Sequence, residues 1–299
     1  MLRQENEVIQ FDSNQVDNEI KKNNEYKLNS AEVNISIKYN QKEEKDNKYF
    51  SLREIKNSCK YIGILSENFS KEKLGINYYA NNDIYIGEWK NNLKEGNGLY
   101  IYNSINNQKE LFIGKWNKGL KLGKGIYYFS NDNLSNYIIF FGDVNNENFE
   151  QGFMIENNGI KKLYKGKFKD LKKEDDNGIL LEGNDKAFFG KFKNNEIIEG
   201  NTVVYKIENG KVNITNLFNF KVIDDKSNNY NFEIIEDLNY GNYTQIIYDL
   251  IQKKYFDNIE NYFLQLKEFI KENEDNKIFE KNINDNNILN LLKNYEEII

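Results

Sequence analysis

Any chemistry in this chain of 299 residues must come from carboxylates, lysines, tyrosines or one thiol, because it has no histidine and a single cysteine, Cys59. The missing histidine removes the commonest general base, the usual zinc nitrogen ligand and the middle member of hydrolytic triads. One cysteine can form neither an intrachain disulfide nor a thiolate metal cluster. The acid pairs Asp175 with Asp176 and Asp224 with Asp225 sit in polar turns rich in Asn and Lys. They lack the apolar flanks that would raise a carboxyl pKa, so solvated loops are expected. Asp275 to Asp285 lacks the ordered spacing and central glycine of a calcium loop. Gly119, Gly123 and Gly125 do not make a phosphate loop, since three residues separate the first two glycines and Gly125 stands where a magnesium-binding Ser or Thr belongs. Gly96 and Gly98 precede a strand and lack the third glycine of a dinucleotide fingerprint. No catalytic residue, cofactor site or metal site is expected, and the chain reads as a non-enzyme.

Binding chemistry is better represented. Net charge is -6, which argues against a duplex nucleic-acid partner. The average hides an asymmetry: Tyr85 to Gly125 has seven lysines and three glutamates, +4, whereas Glu233 to Ile299 has seven lysines and fourteen acids, -7. Lys90, Lys94, Lys115, Lys118, Lys121 and Lys124 fall in or beside the segments that read as hairpin loops, where they would line up as a basic edge able to meet anionic lipid head groups. The aromatics Tyr85, Trp89, Phe112 and Trp116 would form either an inter-repeat core or a groove for a partner.

These residues are positioned by a repeat. Aromatic-x-Gly openings begin at Tyr61, Tyr85, Phe112, Phe140, Tyr164 and Phe188, spaced by 24, 27, 28, 24 and 24 residues. A period in the twenties marks a stacked-repeat architecture. The second and third copies are the fullest: Tyr85-x-Gly87-x-Trp89 with Gly96-x-Gly98, and Phe112-x-Gly114-x-Trp116 with Gly123-x-Gly125. Gly152, Gly178 and Gly200 are the surviving glycines of later copies. The period of two puts Tyr85, Gly87 and Trp89 on one strand face and Ile86 and Glu88 on the other. A glycine between two rings leaves room for a ring to lie flat on the backbone. Lys90 to Glu95 reads as the loop and Gly98 to Tyr102 as the returning strand.

YIGEWKNNLKEGNGLYIY and FIGKWNKGLKLGKGIYYF resemble MORN repeats, the membrane occupation and recognition nexus motif. The match is close over residues 85–130 and loose over 61–84 and 140–210. The fold class expected is mainly β: an elongated single-layer array of stacked antiparallel β-hairpins with a C-terminal α-helical cap. The resemblance implies a non-catalytic scaffold or protein-interaction subunit of a cytoskeletal or ciliary, axonemal, assembly. Its alternative is a phosphoinositide or membrane-contact adaptor. Partners would be other proteins of a larger assembly or anionic lipids, and the resemblance also implies pairing end to end as a homodimer.

Three regions follow. Residues 1–48 read as a flexible polar arm, with a strand-like alternation at Val33, Ile35, Ile37 and Tyr39. Residues 49–235 are the hairpin array. Residues 236–299 are helical: Phe256, Ile259, Phe263, Leu266 and Ile270 share one helix side, with Asn242 or Thr244 as cap and an end at Glu272 to Asn276. Ile288, Leu291 or Leu292, Tyr295 and Ile298 or Ile299 mark a second helix, and such a pair would cover the open end of the array. The start has no apolar stretch of signal-peptide length, and the longest apolar run, Tyr137 to Phe141, is far short of the roughly 20 residues of a membrane span. A soluble protein of the cytoplasm, cytoskeleton or cilium is expected.

Overall fold

The computed structural model describes residues 25–29, 34–39, 49–54, 59–66, 70–103, 109–130, 136–145, 148–224, 229–234, 241–254, 257–259, 261–266, 290 and 292–295. The chain divides into two compact units, residues 1–125 with 266–297 and residues 126–265 with 298–299. The first holds β1 Glu25–Asn29, β2 Asn34–Tyr39, β3 Tyr49–Glu54, β4 Lys60–Leu65, β5 Lys71–Tyr78, β6 Ile84–Lys90, β7 Leu93–Tyr102 and β8 Lys109–Asn117. Each strand from β1 to β7 pairs antiparallel with its successor. β9 Leu120–Ser130 runs from the first unit into the second. The second continues with β10 Tyr137–Asn145, β11 Asn148–Asn157, β12 Lys161–Lys169, β13 Lys172–Lys173, β14 Asp175–Glu182, β15 Lys186–Lys193, β16 Glu196–Glu208, β17 Lys211–Asp224, β18 Asn229–Ile234 and helix α1 Gly241–Gln252. The fold is therefore mainly β, an antiparallel sheet of stacked hairpins followed by a C-terminal helix. All six aromatic-x-Gly openings lie on the first strand of a hairpin: β4, β6, β8, β10, β12 and β15.

Several of the described hairpins turn on two residues. Asn91 and Asn92 have φ of 49° and 66°, Lys118 and Gly119 49° and 87°, Asp170 and Leu171 51° and 60°, and Asn194 and Asn195 51° and 75°. Positive φ at both central positions is the turn whose twist matches paired strands. The loop expected over Lys90 to Glu95 is thus Asn91–Asn92 alone, and Lys94 and Lys121 lie inside β7 and β9.

Register produces two rows. Gly63, Gly75, Gly87, Gly98 and Gly114 are direct cross-strand partners in succession, and a side chain on any of them would collide with its neighbours. A Cβ on Gly87 would lie 2.6 Å from Gly98 Cα and also strike the ring of Tyr85, which lies flat over the pair. One residue away and on the opposite face, Ile62, Ile76, Ile86, Leu99 and Ile113 form an equally direct row, none more than 6% exposed. Both faces of the first unit's sheet therefore carry buried side chains.

Helical residues lie on the face that carries Ile86 and its counterparts. In the second unit Tyr243 of α1 packs on Phe189 with ring centroids 4.8 Å apart and accepts a hydrogen bond from Asn201 Nδ2 at 2.9 Å. The helix expected to run from Asn242 or Thr244 past Phe263 is interrupted. A turn at Lys253–Lys254, with φ of 47° at Lys254, ends α1, and helical residues resume at 257–259 and 261–266. Ile259 and Tyr262 are buried there, and Phe263 meets Tyr128 at 4.7 Å. Of the strand expected at Val33 to Tyr39, Asn34–Tyr39 form β2, and Val33 lies outside the described residues. Residues 1–24, Phe256, Ile270, the helix end at Glu272 to Asn276 and the region Asp275 to Asp285 lie outside the described residues. No helix among the described residues is long and apolar enough to cross a membrane.

Candidate interaction face

The two fullest repeats build one pattern twice. Tyr85 is fully buried, its hydroxyl donates to the Glu88 carbonyl at 3.1 Å, and its ring meets Trp89 edge to face at 5.0 Å. Trp89 Nε1 donates to the Gly75 carbonyl of the preceding repeat at 3.2 Å. In the next repeat Phe112 and Trp116 lie 5.5 Å apart, and Trp116 Nε1 donates to the Gly98 carbonyl at 3.2 Å. Each indole thus ties its hairpin to the glycine row of the one before. Gly96 and Gly123 occupy a different place from the rest: with φ of 62° and 85° they supply the left-handed residue at the same step of each returning strand. In β7 that step is a register shift beside Gly87, and the amide of Asn97 there donates to Glu88 Oε2 at 2.6 Å. Lys73, with φ of 55°, holds the same step in the first copy.

The lysines assigned to a lipid-facing edge do not share one environment. Lys90, Lys115, Lys118 and Lys124 are exposed. Lys94 and Lys121 are only 7% and 3% exposed, so the expectation that they face lipid is wrong for these two. The reason is the two-residue turn, which brings Lys94 into direct register with Trp89 on the aromatic face. Lys94 Nζ lies 4.4 Å from the Trp116 ring, 4.7 Å from Tyr100, 5.7 Å from Tyr85 and 5.9 Å from Tyr79. Lys121 Nζ lies 5.2 Å from Phe112 and 5.6 Å from Trp116, and donates to the Tyr102 hydroxyl at 2.6 Å. Lys71 holds the corresponding place between the Tyr61 and Trp89 rings, at 5.1 and 4.7 Å. In the second unit buried Lys173 pairs with Phe168 in register, sits 5.8 Å from the Tyr164 ring and bonds Glu156 at 2.8 Å. A buried ammonium is tolerated where ring faces and hydrogen-bond acceptors replace water.

A second device links successive hairpins. The backbone of Lys71 and the carboxylate of Glu72 bind the turn of the next repeat: Asn91 N donates to Glu72 Oε1 at 2.8 Å and Asn92 N to the Lys71 carbonyl at 3.2 Å. Lys118 N and Gly119 N bind Glu95 Oε2 and the Lys94 carbonyl in the same way, both at 2.9 Å. In the second unit Asn194 N and Asn195 N bind Glu174 Oε2 and the Lys173 carbonyl, at 3.0 and 3.2 Å. Neither this clasp nor the role of Tyr100 and Tyr102 emerges from the aromatic-glycine spacing. The available signal is a lysine five residues after the second aromatic, as in Trp89 to Lys94, Trp116 to Lys121 and Phe168 to Lys173.

The arrangement closes the aromatic face. Tyr85, Trp89, Tyr100, Phe112 and Trp116 are all buried, with lysine stems between them, so these rings are packing units. β9 begins Leu120-Lys121-Leu122 with the lysine inside and the leucines outside, at 50% and 41% exposure. The acids Asp175 and Asp176 do structural work. Asp175 Oδ2 and Oδ1 accept from Lys167 N and Asn177 N, and Asp176 bridges to Lys191 at 3.1 Å. Asp225 lies outside the described residues. Burial followed by the charge of Asp185 pushes the Tyr205 hydroxyl up to about 12, and burial foremost also raises Tyr61 and Tyr164. Raised phenols of this kind are inert hydrogen-bond donors at neutral pH.

The family model of the MORN repeat matches residues 85–104 and 112–134, the two segments in which the indole, glycine-row and lysine patterns coincide. No curated protein matches the chain.

Proposed function

From the premise that this chain carries MORN repeats, which are generally protein- or lipid-interaction modules, we propose that it is a non-catalytic scaffold: a protein-interaction subunit of an intracellular cytoskeletal or ciliary assembly. The observation that carries the protein reading is the filled aromatic face. With Lys94 and Lys121 occupying the notches, recognition falls to the outer surface, where Leu120 and Leu122 stand exposed. Exposed leucines on a rigid hairpin suit a protein contact. The cytoskeletal or ciliary setting follows from the resemblance of the repeats alone. Lipid contact is the weaker reading, because burial of Lys94 and Lys121 leaves only four of the six candidate lysines exposed, the bottom of the roughly four to eight charges of a membrane-holding basic cluster.

Affinity purification of the tagged full-length chain from its own cells tests the proposal. A stoichiometric cytoskeletal or axonemal partner that is lost on Leu120→Ser with Leu122→Ser is the expected result. A uniformly diffuse protein without a stable partner would refute it, and flotation of the chain with anionic vesicles at low salt would transfer the assignment to lipid.

A further inference from the structure

Asp83, immediately before β6, is a buried carboxylate at 3% exposure. Its Oδ2 accepts the Tyr100 hydroxyl at 2.9 Å and Asn81 Nδ2 at 2.7 Å, and its Oδ1 accepts Asn103 N at 2.6 Å. A carboxylate held by fixed donors in a dry site is a ready acceptor for a phenol proton. A string of oxidisable rings leads to Tyr100. Tyr61, Trp89, Tyr85, Trp116 and Tyr100 follow one another with centroids 5.7, 5.0, 5.4 and 6.0 Å apart, none more than 5% exposed. The string lies wholly in the first unit. Two lysines set which of these rings can hold an electron vacancy. Lys71 Nζ lies 4.7 Å from the Trp89 ring, and Lys94 Nζ lies 4.4 Å from Trp116 and 4.7 Å from Tyr100. An ammonium in a low-dielectric site repels a second positive charge, so an indole cation radical is disfavoured there. A phenol escapes that repulsion when its proton leaves with the electron. Tyr61 and Tyr85 donate to the carbonyls of Ile64 and Glu88, which are poor bases, whereas Tyr100 donates to a carboxylate. Tyr102, 4.6 Å from Tyr100, has its oxygen bonded by the Lys121 ammonium.

We propose that Tyr100 and Asp83 form a redox-active pair fed by the indole-tyrosine string. A one-electron oxidant at the surface draws an electron through the string, and the vacancy settles on Tyr100 as a neutral tyrosyl radical. The electron leaves to the oxidant. The Tyr100 O–H bond breaks, its proton forms an O–H bond to Asp83 Oδ2, and the hydrogen bond reverses, the new acid donating to the phenoxyl oxygen. The positive charge left by the electron is absorbed by neutralising Asp83 and is not placed on a ring beside Lys94. One electron returned along the string by a surface reductant takes the proton back and restores both groups. The oxidant is a one-electron acceptor strong enough to oxidise an indole, such as an oxygen-centred radical. The activity is collection of oxidising equivalents at one protected phenol, which spares the two indoles that tie the hairpins together. It is independent of what the outer surface binds.

A ruthenium polypyridyl photosensitiser attached to Cys59, the single thiol and two residues from Tyr61, starts the oxidation at one end of the string in the full-length protein. Flash excitation with an external electron acceptor, followed by transient absorption, should show a brief indole signal and then a long-lived neutral tyrosyl signal that forms more slowly in heavy water. Tyr100→Phe should lose the long-lived signal. Trp89→Phe, which keeps a ring in the stack that cannot carry the vacancy, should lose it as well. A long-lived tyrosyl signal undiminished in Tyr100→Phe overturns the proposal. An indole radical as the final species, or formation equally fast in heavy water, overturns it too, and these two readings on the unsubstituted chain decide the matter if Tyr100→Phe fails to fold. Asp83→Asn, which keeps a hydrogen-bond acceptor and removes the base, should shorten the tyrosyl lifetime, and an unchanged lifetime would remove Asp83 from the pair and with it the proposal.

Discussion

The repeats of residues 85–130 and those of residues 137–208 keep the same sheet geometry with different chemistry at one cross-strand pair. In the first group Trp89 faces Lys94, a ring against a cation, and the indole also bonds a glycine carbonyl. In the second group the corresponding pairs are Val144 with Phe149, Phe168 with Lys173 and Phe192 with Ile197. The site is thus a volume to be filled from two strands, and cation with ring or apolar with apolar both fill it. The second group lacks the indole donor and keeps the glycine row, in Gly142 with Gly152 and Gly190 with Gly200. The glycine row is the invariant of the fold within this chain, and the aromatic-lysine pair is one of several fillings.

That comparison can be broken most forcefully at the indole. Trp116→Ala removes a buried ring and leaves the Gly98 carbonyl without its donor, and should cost about 3 to 5 kcal/mol, read as a lower urea midpoint. Trp116→Phe, which imitates the second group, should cost about 1 to 2 kcal/mol because the ring stays and the hydrogen bond goes. Equal losses for the two variants would mean that the hydrogen bond, not the ring, holds the repeats together.

Alkaline titration sharpens the comparison next, because tyrosines raised chiefly by burial occur in both groups, Tyr128 in the first and Tyr164 and Tyr205 in the second. The Tyr205 hydroxyl ionises at about 12 in the fold, raised from 10.0 chiefly by burial and then by Asp185. A folded value above the unfolded one means that the stabilisation is complete below pH 10 and disappears as pH rises through the folded value. Tyr61 and Tyr164 are shifted in the same direction, with burial as the largest cause. Phenolate absorbance should therefore lag behind that of free tyrosine and rise together with loss of the β circular dichroism. Ionisation of all tyrosines near pH 10 in a folded protein would show that these rings are accessible.

The smallest expected effect separates the lysines. Lys94→Met keeps the stem and removes the charge from a cage of four rings, at a cost of about 1 to 2 kcal/mol, the scale of a desolvated cation-ring contact. Lys90→Met on the exposed side of the same hairpin should stay within about 0.5 kcal/mol. Indistinguishable variants would place the two lysines in the same environment.

Much of this was legible. The openings at Tyr61, Tyr85, Phe112, Phe140, Tyr164 and Phe188 mark the strand that starts each hairpin, because an aromatic-glycine alternation is demanded by a ring lying on a glycine pair. The turns were harder. Asn91 and Asn92 were expected inside a loop extending to Glu95, since polar residues continue after them; the strand in fact resumes at Leu93 because two left-handed residues suffice to reverse it. That difference of a few residues moved Lys94 and Lys121 from an expected basic edge into the aromatic stack. Charge alone could not reveal it, since a lysine in a ring cage and a lysine in water look alike in composition. In the first copy the bulge glycine is Lys73, which keeps the left-handed conformation without the residue that normally announces it. The break at Lys254 is hidden for a similar reason: no proline or glycine marks it.

The aromatic face of these repeats is a closed, lysine-filled core. Acylation of the native protein with an amine-reactive ester, mapped residue by residue by mass spectrometry, tests it directly. The account predicts rapid modification of Lys90, Lys115, Lys118 and Lys124 and protection of Lys94, Lys121 and Lys173 until the chain is unfolded. Modification of Lys94 and Lys121 at the rate of their exposed neighbours, in a protein that stays folded, would contradict it and reopen the aromatic face as a binding groove.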